Sequence, residues 1–240
     1  MRWLRLDSHC DSAASRRLMI SVHLPKTGGT SFRKLLEDRF GKGLRTIYGE
    51  KPFNLMREQR CAKALADAHA ERDAAHDGVQ CIHGHFLPAR FLLLRERRNL
   101  VFVTWMRHPV DRLVSDYRFT LRHYDAATAP PFQKRILNEE WSFERYALCE
   151  ELRDFYIQYL WAFPLEYFDF IGIAEHSAED FAEFQQRYFG GGTECPRLNA
   201  RPDAPEPVDA ALRRRIEAHH AGDMEWYAKA LSLRAKRLKG

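Results

Sequence analysis

Ile20-Ser21-Val22-His23-Leu24-Pro25-Lys26-Thr27-Gly28-Gly29-Thr30-Ser31-Phe32-Arg33-Lys34-Leu35-Leu36 is the stretch that decides the fold. It continues an apolar run, residues 18–24, of the length of a buried strand. A turn over residues 25–29 interrupts that run. Phe32, Leu35, Leu36 and Phe40 then recur at helical spacing, and Thr27, Thr30 and Ser31 can each cap the helix start. A strand feeding a glycine turn and then a helix presents unpaired N–H groups and the positive end of the helix dipole to an anion. Gly28 and Gly29 let the backbone come close, Lys26 adds a positive charge, and the hydroxyls add donors. The order differs from a Walker A loop, in which the lysine follows the last glycine and a Ser or Thr after it holds magnesium. Here Lys26 precedes both glycines and approaches from the strand side. A bare Gly-Gly would read as an ordinary strand-to-helix turn; the Lys, two Thr and Ser clustered around it point to a phosphate-type anion.

The chain has 240 residues, enough to bury a substantial core, and reads as one α/β domain. Residues 1–17 read as an N-terminal extension and residues 18–240 as the domain. A formal net charge of +5 suits an anionic ligand but is too small to imply nucleic acid. Most of the basic residues are Arg, the better fork for phosphate or sulfate oxygens. Cys10, Cys61, Cys81, Cys149 and Cys195 are scattered and odd in number, with no Cys-x-x-Cys, so neither a disulfide framework nor a zinc knuckle is expected. No apolar run has the length of a signal peptide or a membrane span, and a cytoplasmic location is expected.

Residues 52–75 suggest one amphipathic helix, with Phe53, Met56, Leu65 and Ala68 on its apolar side. A short strand then runs through Val79-Gln80-Cys81-Ile82-His83-Gly84-His85-Phe86, with His83 and His85 directed to the same side. Three readings of the pair compete: a zinc site, for which no third ligand follows at metal-site spacing; structural histidines; or a general base, since neutral imidazole can take a hydroxyl proton near pH 7. The clearest strand is Asn99-Leu100-Val101-Phe102-Val103-Thr104-Trp105-Met106, ending at Arg107-His108-Pro109. Val110, Leu113, Val114, Tyr117 and Leu121 mark a face of the helix that follows, which also carries Ser115. Arg107 stands at the C-terminal end of its strand, where open α/β sheets place their ligands. A magnesium-dependent NTPase would usually place an Asp there, whereas an Arg suits an anion.

These motifs together resemble the sulfotransferases, in particular the carbohydrate branch that includes heparan sulfate 2-O-sulfotransferase and uronyl 2-sulfotransferase. In that family a strand ends in a Pro-Lys-Thr loop that holds the 5′-phosphosulfate of 3′-phosphoadenosine 5′-phosphosulfate (PAPS). Residues 25–31, with Lys26, Thr27, Gly28, Gly29, Thr30 and Ser31, look like that loop. An Arg at a strand end and a Ser eight residues later hold the 3′-phosphate in the family, and Arg107 and Ser115 match in type and spacing. The family also carries a His-Gly-His segment between these motifs, with the second His proposed as base, which His83-Gly84-His85 matches.

The resemblance implies a three-layer α/β sandwich around a mostly parallel sheet, of the P-loop-like sulfotransferase type. It also implies sulfuryl transfer from PAPS to a carbohydrate hydroxyl, with release of 3′-phosphoadenosine 5′-phosphate (PAP). Lys26 would neutralise the leaving oxygen, His85 would take the acceptor proton, and His83 would orient the site or the substrate. PAPS would be the co-substrate and no metal would be needed. The expected partners are the nucleotide and an anionic or neutral saccharide, with no nucleic acid and no membrane span; the oligomeric state is left open. A kinase-like phosphotransferase would instead need carboxylates for magnesium, for which Asp111, Asp116 and Glu175 are the nearby candidates. A non-catalytic anion- or glycan-binding module would have no use for His85.

Further along, residues 126–132 read as a loop, and residues 143–148 and 152–161 as helices rich in core aromatics. Residues 168–173 read as a strand and 178–189 as a helix; helices over 208–219 and 223–233 close the chain. Arg197, Asn199 and Arg201 lie in a Pro-rich segment that either closes over the nucleotide or is a solvated connector.

Overall fold

The computed structural model describes residues 17–49, 53, 55–191 and 208–239. The Pro-rich segment with Arg197, Asn199 and Arg201, the cysteines Cys10 and Cys195, and residues 1–16 of the N-terminal extension lie outside them. Cys61, Cys81 and Cys149 are free thiols.

Five parallel strands form the sheet: β1 (Leu18–Val22), β2 (Leu44–Ile47), β3 (Cys81–Gly84), β4 (Leu100–Met106) and β5 (Phe170–Ile173), in the order β2-β3-β1-β4-β5. Every residue of β1, β3, β4 and β5 is buried, as parallel strands covered on both faces require. Alternate residues serve opposite faces. Leu18, Ile20 and Val22 of β1 and Phe102 and Met106 of β4 share one core, while Met19, Val101, Val103 and Trp105 belong to the other.

Helices cover both faces. Phe32 and Leu36 of α1 (Gly29–Phe40) pack on one face; Phe181 and Phe184 of a later helix, Ser177–Phe189, join them there. Burying a side chain the size of Phe32 contributes about 1.5–3 kcal/mol. The other face is covered by Phe155, Tyr156 and Tyr159, from a short helix over Phe155–Tyr159, and by Tyr227 and Ala230, from a helix over Ala221–Arg237. In chain order the remaining helices are α2 (Arg57–Asp73), α3 (Pro109–His123), α4 (Pro131–Asn138), α5 (Phe143–Ala147) and α8 (Ala210–His219), so the three helices just given are α6, α7 and α9. A third core joins Val110 and Leu113 of α3 to Ile136, Tyr146 and Ile216. The expected three-layer α/β architecture with a parallel sheet is present. Among the described residues no helix is long and apolar enough to cross a membrane.

Several expectations shift. The helix placed at 52–75 is α2, Arg57–Asp73, and its phase differs: Met56 and Leu65 are exposed, while Arg60, Ala64, Ala68 and Glu71 are buried. Glu71 can be buried because Arg45 of β2 and Arg90 both pair with it. Leu121 of α3 is likewise exposed rather than packed. β2 and α4 were not expected: β2 is a four-residue edge strand that is not fully buried, and α4 starts inside the segment read as a loop. Of residues 152–161 only Phe155–Tyr159 are α-helical.

The sheet order places the crevice. The connection after β1 leads toward β2 on one side and the connection after β4 leads toward β5 on the other, so the C-terminal ends of β1 and β4 flank the switch point at which such folds bind ligands. The loop of residues 24–28 and Arg107 both start there.

Gly84 is fixed by close approach. A Cβ there would lie 1.9 Å from the backbone oxygen of Ile47 in β2, and its φ of 157° disfavours a side chain as well. Gly84→Ala should therefore destabilise the fold by at least about 1–3 kcal/mol, the usual range for overpacking, because backbone is what must move. A drop in melting temperature of roughly 2–12 °C is expected for a chain this long; an unchanged melting temperature would show that β2 yields freely.

Candidate anion-binding and proton-transfer site

The chain turns sharply after β1. Lys26 and Gly28 both have left-handed backbone, with φ of 69° and 92°. For a lysine this costs about 1–3 kcal/mol, which the surrounding structure must hold. The Thr27 side chain is fully buried, and its hydroxyl donates to the Leu24 carbonyl at 2.7 Å, so Thr27 closes the turn. It does not cap α1, and neither does Thr30 or Ser31. The N-cap is Gly28, with no side-chain hydrogen bond, and the first turn of α1 has no acidic residue. Among the described residues no side chain caps the leading N–H groups of α1, which leaves them facing the turn as donors for an anion.

Lys26 extends its ammonium over the Phe119 ring of α3, 3.8 Å from the centroid. Phe119 lies four residues beyond Ser115, one turn along the same face of α3. The Lys26 loop and the Ser115 face are thus in contact across the crevice. Arg107 has its backbone clamped by Tyr156, whose hydroxyl accepts from the Arg107 N–H at 3.1 Å and donates to the Arg107 carbonyl at 2.5 Å. The Arg107 guanidinium is half-buried and has no hydrogen bond or ion pair among the described residues. Arg112, by contrast, is buried over the Phe155 ring and paired with Asp116, away from solvent.

The two histidines of the His-Gly-His segment differ in surroundings. His83 is 1 % exposed, its Nδ1 is 2.7 Å from the Ser21 hydroxyl, and its Nε2 is buried with no partner. It can influence a substrate only through a neighbour. His85 follows the strand and is half-buried. Its Nδ1 lies 2.7 Å from the backbone carbonyl of His23. A carbonyl only accepts, so Nδ1 carries the proton and Nε2 is left as a proton acceptor. Both rings stack on His23, with centroids 5.2 Å and 4.5 Å away.

His23 and Tyr48 complete the cluster and were not singled out from sequence. Tyr48 follows β2, its hydroxyl is 2.8 Å from His23 Nδ1, and its ring meets His83 and His85 edge-on. Period-2 alternation places His23 on the face of Ser21, which is the one signal that could have found it; Tyr48 depends on an edge strand too short to read. Among the described residues no group of three or more His, Cys, Asp or Glu could hold a metal ion. The three candidate magnesium carboxylates are otherwise engaged. Asp111 pairs with Arg213 and Asp116 accepts from Tyr146, while Glu175 accepts from the His108 N–H and from Tyr227.

Burial holds the imidazoles neutral. It lowers His83 to about 3 and His220 to about 4, holds His23 well below 6.5, and lowers His85. Below pH 6.5 the unfolded chain takes up protons that these four rings in the fold refuse, so their contribution is full above 6.5 and is lost as the pH falls. Asp223 acts in the opposite sense: burial pushes it up to about 7, so between about pH 7 and 3.8 the fold holds a proton that the unfolded chain releases. Four groups outweigh one. Thermal melts should show the melting temperature falling as the pH is lowered from about 6.5 to about 4; a rise over that range would contradict the burial of the histidine cluster.

No protein-family model and no curated protein matches the sequence. Among solved structures the chain is similar to a sulfotransferase from Alicyclobacillus acidocaldarius, at 17% identity over 91% of this chain and 96% of that one, with a TM-score of 0.46. It is also similar to the mouse sulfotransferase SULT7A1 complexed with PAP, at 11% identity over 87% of this chain and 65% of that one, with a TM-score of 0.38. At these scores neither likeness assigns a role to any residue of this chain.

Proposed function

We propose that this chain is a sulfotransferase that moves the sulfuryl group of PAPS to a hydroxyl of a carbohydrate acceptor and releases PAP. The observation that carries the reading is the fixed tautomer of His85: its Nδ1–H is committed to the His23 carbonyl, which leaves Nε2 as a neutral proton acceptor beside an anion-binding turn.

Each residue has a part. The α1 N-terminus and Lys26 hold the 5′-phosphosulfate, and Lys26 neutralises charge as it develops on the bridging oxygen. Gly28, Gly29, Thr30 and Ser31 bring backbone and hydroxyl donors to the same anion, while Thr27 shapes the turn. Arg107 and Ser115 take the 3′-phosphate; a half-buried guanidinium without an internal partner suits that contact. The acceptor oxygen bonds to sulfur, the bridging S–O bond breaks with its electron pair going to the departing phosphate, and the acceptor proton passes to His85 Nε2. His83 supports this from beneath, through the stack on His23. Sulfuryl transfer needs alignment and charge neutralisation more than covalent help. The carboxylates that a magnesium-dependent kinase would use are held by Arg213, Tyr146, Tyr227 and the start of α3. The net charge of +5 suits an anionic glycan.

The test is transfer of labelled sulfate from PAPS to a panel of glycans, lipids and phenols. His85→Ala should lower turnover on sugars by roughly 10²–10⁴ with PAP affinity nearly intact. Lys26→Ala should lower kcat by roughly 10²–10³, by analogy with loss of one preorganised donor. Activity confined to phenols, or parental turnover in the His85 variant, would overturn the reading.

A further inference from the structure

We propose that His23 is a further catalytic residue, a neutral Nε2–H donor to the anion held at the start of α1, with Tyr48 as the positioning residue that sets its tautomer. The inference rests on the sulfuryl-transfer reading for the identity of that anion, which would be the transferring sulfuryl group.

Three contacts fix the ring. The edge that carries Nε2 lies against the first residue of α1: a Cβ on Gly29 would be 1.8 Å from His23 Nε2. Gly29 must therefore lack a side chain for the imidazole to reach the helix start. At the opposite edge Nδ1 meets the Tyr48 hydroxyl at 2.8 Å. The two faces of the problem, rotation and tilt, are settled by stacking on His83 and His85. Nε2 itself has no hydrogen-bond partner among the described residues.

The tautomer follows from charge. The Arg33 guanidinium lies over the Tyr48 ring, 4.9 Å from its centroid, and a cation there favours the phenol as donor. Tyr48 O–H then points to Nδ1, and the ring proton sits on Nε2. The opposite tautomer would aim a lone pair at an anion, so occupancy of the turn reinforces the same choice. Burial and the neighbouring His85, His83, Arg33 and Lys26 hold His23 well below the ordinary histidine range, so it acts as a neutral donor and keeps its proton throughout. His23 thus serves both partners of the reaction. Its backbone carbonyl fixes the base His85, and its side chain binds the group being transferred.

The backbone role survives substitution, so the side chain can be tested alone. His23→Phe keeps an aromatic ring in the stack and removes the N–H. It should lower kcat on the best acceptor by roughly 10²-fold or more, the loss seen when one preorganised donor is deleted, while PAP affinity changes far less. Tyr48→Phe should lower kcat by less than His23→Phe. ¹⁵N imidazole spectra give a readout independent of turnover and of correct packing in any variant. In the parent chain His23 should show the Nε2–H tautomer, and its Nε2 signal should move when inorganic sulfate is added. An Nδ1–H tautomer that persists with sulfate present, or a His23→Phe enzyme with parental kcat, would overturn the assignment. A parent chain that transfers no sulfate from PAPS would instead remove the sulfuryl-transfer reading and leave the spectra to decide His23.

Discussion

The site depends on parallel pairing that continues one residue past the ends of β1 and β3. The His23 N–H donates to the Gly84 carbonyl at 2.9 Å, and the His85 N–H donates to the Ile47 carbonyl at 2.8 Å. The His23 carbonyl in turn accepts from His85 Nδ1, with the Tyr159 hydroxyl at 3.4 Å. Three strand ends are therefore tied together by backbone bonds at the level where the chemistry would occur. On separate loops the Lys26 turn and His85 would drift relative to each other; here they share one peptide group.

Around that peptide the fold uses aromatic side chains as fixed supports. Tyr156 clamps the backbone of Arg107 at both its N–H and its C=O, which leaves only the side-chain torsions free. Phe119 gives the Lys26 ammonium a place to rest beside the Ser115 face of α3. Phe53 stacks on Phe155 and Tyr159, so the aromatic layer that reaches the His23 carbonyl through the Tyr159 hydroxyl is itself braced. Tyr227 and the start of α3 share Glu175, which joins the C-terminal helix to the end of β4. Interior groups of this kind lose little entropy when a ligand arrives, because packing already restricts their rotation.

The fold was readable from sequence where apolar runs are long and bounded. β1 and β4 are fully buried strands that end in Pro25 and Pro109 turns, and each feeds a helix with a regular apolar face. α2 misleads because its packing face is made of alanines and of charges that become buried only through partners distant in sequence. Glu71 is neutralised by Arg45 and Arg90, and no local pattern announces that. β2 hides because an edge strand of four residues has no run to detect. At the candidate site, Lys26, Arg107, Ser115 and His85 could be singled out as candidates because they sit in turns or on the helix beside them. His23 was not, since its neighbours His83, His85 and Tyr48 come to it only through the pairing of β3 and β2 with the central strand. Capping by Thr27 was a fair reading of residue type, but its hydroxyl turned inward to close the turn.

Under the proposed function, two separate anion sites, the Lys26 turn and the Arg107–Ser115 pair, bind one nucleotide from both ends. Thermal stability in the presence of PAP or AMP, without magnesium, measures this directly, because a ligand that binds only the folded chain raises its melting temperature in proportion to affinity and concentration. A much larger shift is expected with PAP than with AMP, with loss of that difference in Arg107→Ala, where a charge-assisted contact of about 1.5–3 kcal/mol is removed. Equal shifts for PAP and AMP in the parent chain, or stabilisation only by ATP with magnesium, would contradict it.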